Sequence, residues 1–329
     1  AFELEHNNPI IQYNLGRAYI ITEKFDKGWE YFEKRTEVLP HHKLKFDNQY
    51  KPLWNSNLPL KNKSIYVYYA SPHFGFGDSI LFSRYLLQLQ DLGAIVKCKP
   101  NRQLEQLFKE NFTNIQIIEN FVPDETIEFD YQMPFMSLPY AFCANKTNIP
   151  HINGYLRANK LKSMLYKQKY FDNNLFKIGI VWKTSGKNDI RNLNLQDLLP
   201  IIKIKGIKIY SLQKGEYSKE LNNFSFENIV DLGESFENFS DTAAAIDNLD
   251  LVISPDTAVA HLAGAMGKPV WILLPFIADW KWLLNTDKSI WYSAAKLYRQ
   301  PVPGDWKQLI AKVKDDLYKL VDSVSKISC

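Results

Sequence analysis

The apolar positions of this chain fall into two alternating rhythms. Short, nearly continuous apolar runs at residues 64–70 (SIYVYYA), 94–99 (AIVKCK) and 115–118 read as buried strands, and between them residues 78–92 and 102–111 carry the wider spacing of helices. After a Pro-rich and polar stretch from 134 to 174 the alternation starts again. Residues 177–182 (KIGIVW), 207–212, 251–254 and 270–274 read as strands, with helices near 195–202, 241–248 and 256–266 between them. Parallel strands need crossover connections, usually helical, so this alternation predicts doubly wound parallel sheets in an α/β chain. Two such series predict two domains facing a cleft, because ligands of open α/β sheets bind off the carboxyl ends of the strands.

Ahead of both series, Leu15, Gly16, Tyr19, Gly28, Phe32 and Pro40 stand at the spacing of one tetratricopeptide unit of about 34 residues. Glycines there let two antiparallel helices approach, and the aromatics fill the groove between them. A plain helical hairpin accounts for the same residues. One unit cannot bury its own apolar face, so the segment is expected to pack on the following domain, with further repeats preceding it in a longer chain. A start at Ala1 rather than Met agrees with that expectation. Residues 41–63, polar and interrupted by Pro52 and Pro59, read as a linker. The expected division is a helical segment over 1–50, a first α/β domain over 51–165 and a second over 166–329.

Composition narrows the chemistry. At 329 residues, 46% of them hydrophobic, the chain can bury more than one core. Forty basic against 36 acidic side chains leave a net charge of +4, which suits a phosphorylated ligand without the dense basic footprint of a nucleic-acid binder. Cys98, Cys143 and Cys329 are widely spaced and form no CxxC pair, which points away from a zinc site or a disulfide framework and towards a reducing cytoplasm. No run approaches the roughly 18 apolar residues of a membrane span. The sequence holds no Asp-x-Asp triplet, GxxxxGK[ST] loop, HExxH or GxSxG, so no metal-held nucleotide, ATP-hydrolysing loop, zinc protease or serine esterase is indicated.

Five short segments can carry chemistry. Gly75, Gly77 and Asp78 follow a strand and open a helix, where backbone N–H groups favour an anion; alternatively Asp78 only caps the helix. The run Ser254-Pro255-Asp256-Thr257-Ala258-Val259-Ala260-His261 ends a strand and opens an Ala/Gly-rich helix. Asp256 and Thr257 at its mouth suit sugar hydroxyls and phosphate oxygens, with His261 one turn on; the bland alternative is two caps and a core histidine. Lys183, Lys187 and Arg191 lie within nine residues on a loop after a strand, a set that neutralises a diphosphate or is simply solvated surface. Gln213, with Lys214 beside it, has donor and acceptor atoms suited to a base edge. Asp241 and Thr242 open another helix and either cap it or hold a ribose.

Together these segments resemble bacterial tetratricopeptide-repeat glycosyltransferases whose domain is related to the lipopolysaccharide heptosyltransferases of glycosyltransferase family 9 and, more distantly, to O-linked N-acetylglucosamine transferases. The stretches that carry the resemblance are Pro52-Leu53-Trp54, GFGDSILFSRYL (75–86), MSLPYAF (136–142), IGIVW (178–182), SLQKGE (211–216), DTAAAIDNLDLVISPDTAVAHLAGAMGKPVWILLP (241–275), DWKWLL (279–284) and WYSAAKLYRQPVPGDW (291–306). The resemblance implies a GT-B fold, two Rossmann-like doubly wound domains facing a cleft. It implies an inverting, metal-independent transfer from a UDP-, GDP- or ADP-sugar, with no other cofactor, to a protein or a glycan or lipid-linked acceptor.

Carried over, the family's glycine-rich loop falls on Gly75, Gly77 and Asp78, with Asp78 as general base. The phosphate-binding cation falls on Arg191 or Lys187, the donor run on Asp256, Thr257 and His261, and the nucleotide segment on Gln213 and Lys214. The lead Ala70-Ser71-Pro72-His73-Phe74 departs from the family and makes His73 a rival base. An exposed carboxylate at a helix start is a weak base, so closure of the two domains is expected to desolvate it. The expected location is the cytoplasm or the periphery of the inner membrane, and the repeat segment is expected to recruit a protein partner. Two other readings fit the same fold: a catalytically silent scaffold and a sugar-nucleotide epimerase.

Overall fold

A computed structural model describes residues 7–46, 51–69, 75–150, 153–186 and 189–327, with the side chains of 41 and 325–327 left aside. His73 and Lys187 therefore lie outside the described residues. The chain divides into two compact units, Ala1–Ile152 with Asp279–Asn285, and Asn153–Ala278 with Thr286–Cys329.

The first unit opens with the helices α1 (Pro9–Ile21) and α2 (Phe25–Phe32), followed by the short α3 (Arg35–Val38). Asn8 caps α1 by accepting from the Ile10 N–H at 3.0 Å. α1 and α2 touch at glycines: a Cβ on Gly16 would stand 2.5 Å from the Phe32 nitrogen, and one on Gly28 would stand 2.7 Å from Ile20 Cγ1. Such contacts leave no room for any side chain at either position. Trp29 and Phe32, both buried, meet the ring of Trp280 at centroid distances of 5.5 and 5.0 Å, and Trp29 Nε1 donates to the Ala144 carbonyl at 2.6 Å. Arg35, also buried, donates to Ser137 Oγ at 2.6 Å. The helical pair is thus anchored on the sheet part of its own unit.

That sheet is parallel throughout, ordered β3-β2-β1-β4, from β1 (Ser64–Tyr68), β2 (Ile95–Lys99), β3 (Gln116–Ile117) and β4 (Tyr131–Pro134). The helices α4 (Phe76–Phe82), α5 (Arg84–Asp91), α6 (Glu105–Asn111) and α7 (Leu138–Ala141) cover it. The single helix expected over 78–92 is two, parted at Ser83. There the hydroxyl donates back to the Ile80 carbonyl at 2.9 Å, a local bond that competes with the helix ladder. The stretch expected as a linker is partly built into the unit: Leu53 bridges to Gln132 of β4, and Trp54 is buried against Phe142.

The second unit holds α8 (Lys160–Tyr170), β5 (Phe176–Ile180), α9 (Leu199–Ile202), β6 (Ile207–Ser211), β7 (Ile229–Asp231), α10 (Phe239–Asp247), β8 (Leu251–Pro255), α11 (Ala258–Ala265), β9 (Val270–Leu274), β10 (Ala295–Arg299) and α12 (Trp306–Ile327). Its six strands are all parallel, in the order β10-β9-β8-β5-β6-β7. From β5 the chain steps outwards to β6 and β7, then returns to lay β8 on the other side. The order reverses between β5 and β8, and such a switch point opens a crevice beyond the carboxyl ends of those two strands. A core of Ile178, Ile180, Trp182, Leu251, Ile253 and Leu273, with Leu309, Ile310, Val313 and Leu317 of α12, holds the sheet.

Candidate functional site

The residues beyond β5 and β8 are tied to one another. Arg191, on the loop after β5, donates through Nη1 to the Asp256 carbonyl at 2.8 Å. Its Nε and Nη2 make paired bonds to the Asp189 carboxylate at 2.9 and 2.5 Å. Burial pushes the Asp189 carboxyl up, but the Arg191 guanidinium outweighs it and holds the group below the usual carboxylate range. Asn192 closes the same loop by accepting from the Thr184 N–H at 2.7 Å and donating to the Gly186 carbonyl at 2.7 Å.

On the β8 side, buried Asp256 accepts through Oδ1 from His261 Nε2 at 3.1 Å, with Oδ2 3.9 Å from the Arg191 guanidinium. Because a carboxylate only accepts, Nε2 carries the proton. In the neutral ring Nδ1 then accepts from the Tyr292 hydroxyl, 2.9 Å away. Gly264, one turn on, makes this possible: a Cβ there would stand 2.5 Å from Tyr292 Cγ, so the ring lies directly on the helix backbone. Thr257, the N-cap of α11, makes no side-chain cap bond; its hydroxyl pairs instead with Ser254 Oγ at 2.8 Å. The opening of α11 thus presents backbone N–H groups, and with them the positive end of a helix dipole, beside Asp256 and Arg191. An oxyanion or a sugar hydroxyl is the chemistry such a corner accepts.

The remaining expected residues of this unit are placed differently from one another. Gln213, buried at the end of β6, accepts through Oε1 from the N–H groups of Trp182 and Lys183 at 3.1 and 2.9 Å, so its amide joins two strand ends. Lys183 is ion-paired with Glu220, which also accepts from Trp182 Nε1 at 3.0 Å. Lys214 donates to the Phe236 carbonyl. Asp241 closes a capping box at α10, accepting from the Glu237 and Asn238 N–H groups at 2.9 and 3.2 Å and from Lys162 at 2.7 Å. Burial raises its carboxyl, yet Lys162 and those N–H groups prevail and hold it low. Thr242, next along α10, is buried.

No protein-family profile matches the chain. Protein FlbA of Caulobacter vibrioides is 21% identical over 333 residues, covering 92% of this chain and 54% of that protein, so the chain spans about half the length of this curated relative. Among solved structures, the E. coli ADP-heptose lipopolysaccharide heptosyltransferase II superposes with a TM-score of 0.58 at 12% identity, over 80% of this chain and 99% of that one. A glycosyl transferase of family 9 from Veillonella parvula superposes with a TM-score of 0.54 at 12% identity, over 82% of this chain and 91% of that one. The chain shares their fold.

In the first unit, Asp78 lies in the first turn of α4, after the N-cap Gly75, and Gly77 is within the helix. Gly75 has φ −60°, open to any residue; a Cβ there would meet Asp78 Oδ2 at 3.2 Å, so a side chain would crowd the carboxylate. Lys281, buried in the segment Asp279–Asn285, places its ammonium 3.0 Å from Asp78 Oδ1 and 2.9 Å from Asp279 Oδ1. Among the described residues no group of three or more His, Cys, Asp and Glu is placed to hold a metal, and no helix is long and apolar enough to cross a membrane.

Sequence reasoning missed Tyr292, Asp189, Glu220, Asp279 and Lys281. DWKWLL and WYSAAKLYRQPVPGDW carry the family resemblance as stretches, but only the folded chain sets Tyr292 against a helix residue 31 positions earlier. Nothing in their spacing signals those contacts.

Proposed function

We propose that this chain is a glycosyltransferase of the GT-B type that takes its sugar from a nucleotide-sugar donor, an ADP-sugar foremost. Supporting it most strongly is the hydrogen-bonded set Asp256, His261 and Tyr292 at the mouth of α11, on the switch point of the second sheet. The fold shared with an ADP-heptose-dependent transferase points the same way. In this reading the second unit binds the donor. The α11 N–H groups and Arg191 face the diphosphate, Asp256 takes a sugar hydroxyl, and Lys183, Lys214, Thr257, Gln213, Asp241 and Thr242 shape the surroundings.

Asp78 of the first unit takes the proton of the acceptor hydroxyl. The oxygen attacks the anomeric carbon, the configuration inverts, and the nucleoside diphosphate leaves as the helix dipole and the cations stabilise its growing charge. No metal takes part in this scheme. His73 is the rival base. The acceptor is a protein or a saccharide, and the helical pair, as a tetratricopeptide unit, favours a protein.

Binding is the first test. Among ADP, UDP, GDP and CMP, ADP is expected to raise the melting temperature most, since a ligand at about a hundred times its Kd adds roughly 2.7 kcal/mol to stability. A melting temperature unmoved by all four nucleotides would overturn the reading. A second test concerns Lys281. Lys281→Met is expected to lower kcat about tenfold to a hundredfold while leaving the donor KM in place, because Asp78 loses the cation that fixes its orientation. An unchanged kcat would remove Lys281 from the scheme.

A further inference from the structure

α8 is built inside out. It turns its polar side inwards: Ser163 is buried and donates to Asp247 at 2.6 Å, Asn248 donates to the Ser163 carbonyl at 3.0 Å, and Lys162 reaches Asp241 at 2.7 Å. Its apolar side chains stand outwards, with Leu161, Met164 and Leu165 exposed to 67, 68 and 56%. A helix that buries its serine and exposes its leucines spends hydrophobic surface on something other than its own core.

The charge pattern indicates what. The helix KLKSMLYKQKY carries four lysines and no acid. At about 100° per residue, Met164, Leu161 and Leu165 occupy one stripe, with exposed Gln168 between Met164 and Leu161; Lys160 and Lys167 fall along one edge of it and Lys169 along the other, while Lys162 is held inwards by Asp241. Lys160, Lys167 and Lys169 are themselves exposed. An apolar stripe rimmed on both sides by lysines is the geometry of a helix lying in a lipid–water interface: the stripe enters the acyl boundary while the ammonium groups rise to anionic headgroups on long aliphatic stems. A protein groove would have to supply acids on two opposite sides of one narrow apolar stripe. A bilayer containing anionic lipid supplies them in every direction.

We propose that the exposed face of α8 docks the protein on an anionic phospholipid surface. The stripe is short, so docking is reversible and depends on both apolar contact and charge. The inference does not depend on the transfer reaction or on how the donor is held.

The test is flotation of the whole chain with phosphatidylcholine vesicles, with and without about 30% phosphatidylglycerol. Binding is expected with phosphatidylglycerol alone, and it should fall as salt rises from about 0.05 to about 0.5 M. Leu161→Ser/Met164→Ser/Leu165→Ser is expected to weaken vesicle binding at least about tenfold, and Lys160→Glu/Lys167→Glu/Lys169→Glu to abolish its dependence on phosphatidylglycerol. All six positions are exposed, so both variants should keep the parental melting temperature, and ADP binding by each reports the donor reading separately. Absence of binding to anionic vesicles, or binding equal in parent and variants, overturns the proposal. So does an oligomer seen by analytical ultracentrifugation that the apolar variant dissolves without any vesicle binding by the parent, which would make the stripe a contact between copies.

Discussion

Asp78→Asn is expected to reduce sugar transfer on the order of a hundredfold to ten-thousandfold while leaving nucleotide affinity where it was, the range that removal of a general base produces. The substitution keeps the shape of the side chain at the start of α4 but removes its ability to take a proton. It also removes one of the two carboxylates that share the Lys281 ammonium, and Asp279 keeps that cation neutralised at 2.9 Å. The local fold should therefore survive. Product formation under saturating donor, beside calorimetric titration of ADP, measures both halves. Transfer at the parental rate would pass the role of base to His73 or to another group. Lost nucleotide binding with unchanged transfer per bound donor would make Asp78 a binding residue.

The second large effect is expected at Gly264. Gly264→Val places branched carbon atoms where the Tyr292 ring lies, 2.5 Å from the first of them, and one of the two must move. Overpacking of this kind costs about 1–3 kcal/mol. The displaced hydroxyl leaves His261 Nδ1 without its bond, and the turn that carries Asp256 loses its brace. Donor affinity is expected to fall by about a factor of ten or more, since 1.4 kcal/mol is tenfold in a binding constant. Tyr292→Phe separates the causes: it keeps the ring on the helix and drops only the hydroxyl, at a cost of about 1–3 kcal/mol for the orphaned partner. Thermal melting with and without ADP reads both variants. A Gly264→Val protein with parental stability and parental ADP affinity would show that this packing does not govern the site.

The strands legible in the sequence include the central ones of both sheets and the short edge strand β3, which its apolar flanks Ile115 and Ile118 mark out. β1, β5, β8 and β9 are nearly continuous apolar runs, broken only by Ser64, Lys177 and Ser254, as suits strands inside a parallel sheet. The edge strands β7 and β10 were not recognised. β7 is three residues long, and β10 reads AKLYR, with charges where the edge meets solvent. α8 lies within the stretch 134–174 that reads as polar and Pro-rich, where four lysines among eleven residues dilute its apolar spacing, and β4, just ahead of that stretch, is four residues long with Gln132 inside it. The site divides the same way. Asp256, Thr257 and His261 were visible as a strand end running into a helix. Tyr292 and Lys281 were not, since each joins its partner through tertiary contact. Gln213 illustrates a further limit: its amide had the right atoms for a base edge, and the fold applies them to the Trp182 and Lys183 backbone.

The excursion of Asp279–Asn285 into the first unit bears on how this molecule can be divided. Trp280 closes the aromatic cluster under the helical pair, and Lys281 neutralises Asp78, yet both are translated more than a hundred residues after the rest of that unit. A gene truncated at Ile152 would encode a half that lacks its own keystone. Swapping halves between relatives at that single junction would bring in a foreign clasp for the first unit's tryptophans and carboxylate. Crossover variants should therefore retain order only when residues 279–285 are inherited together with the first 152.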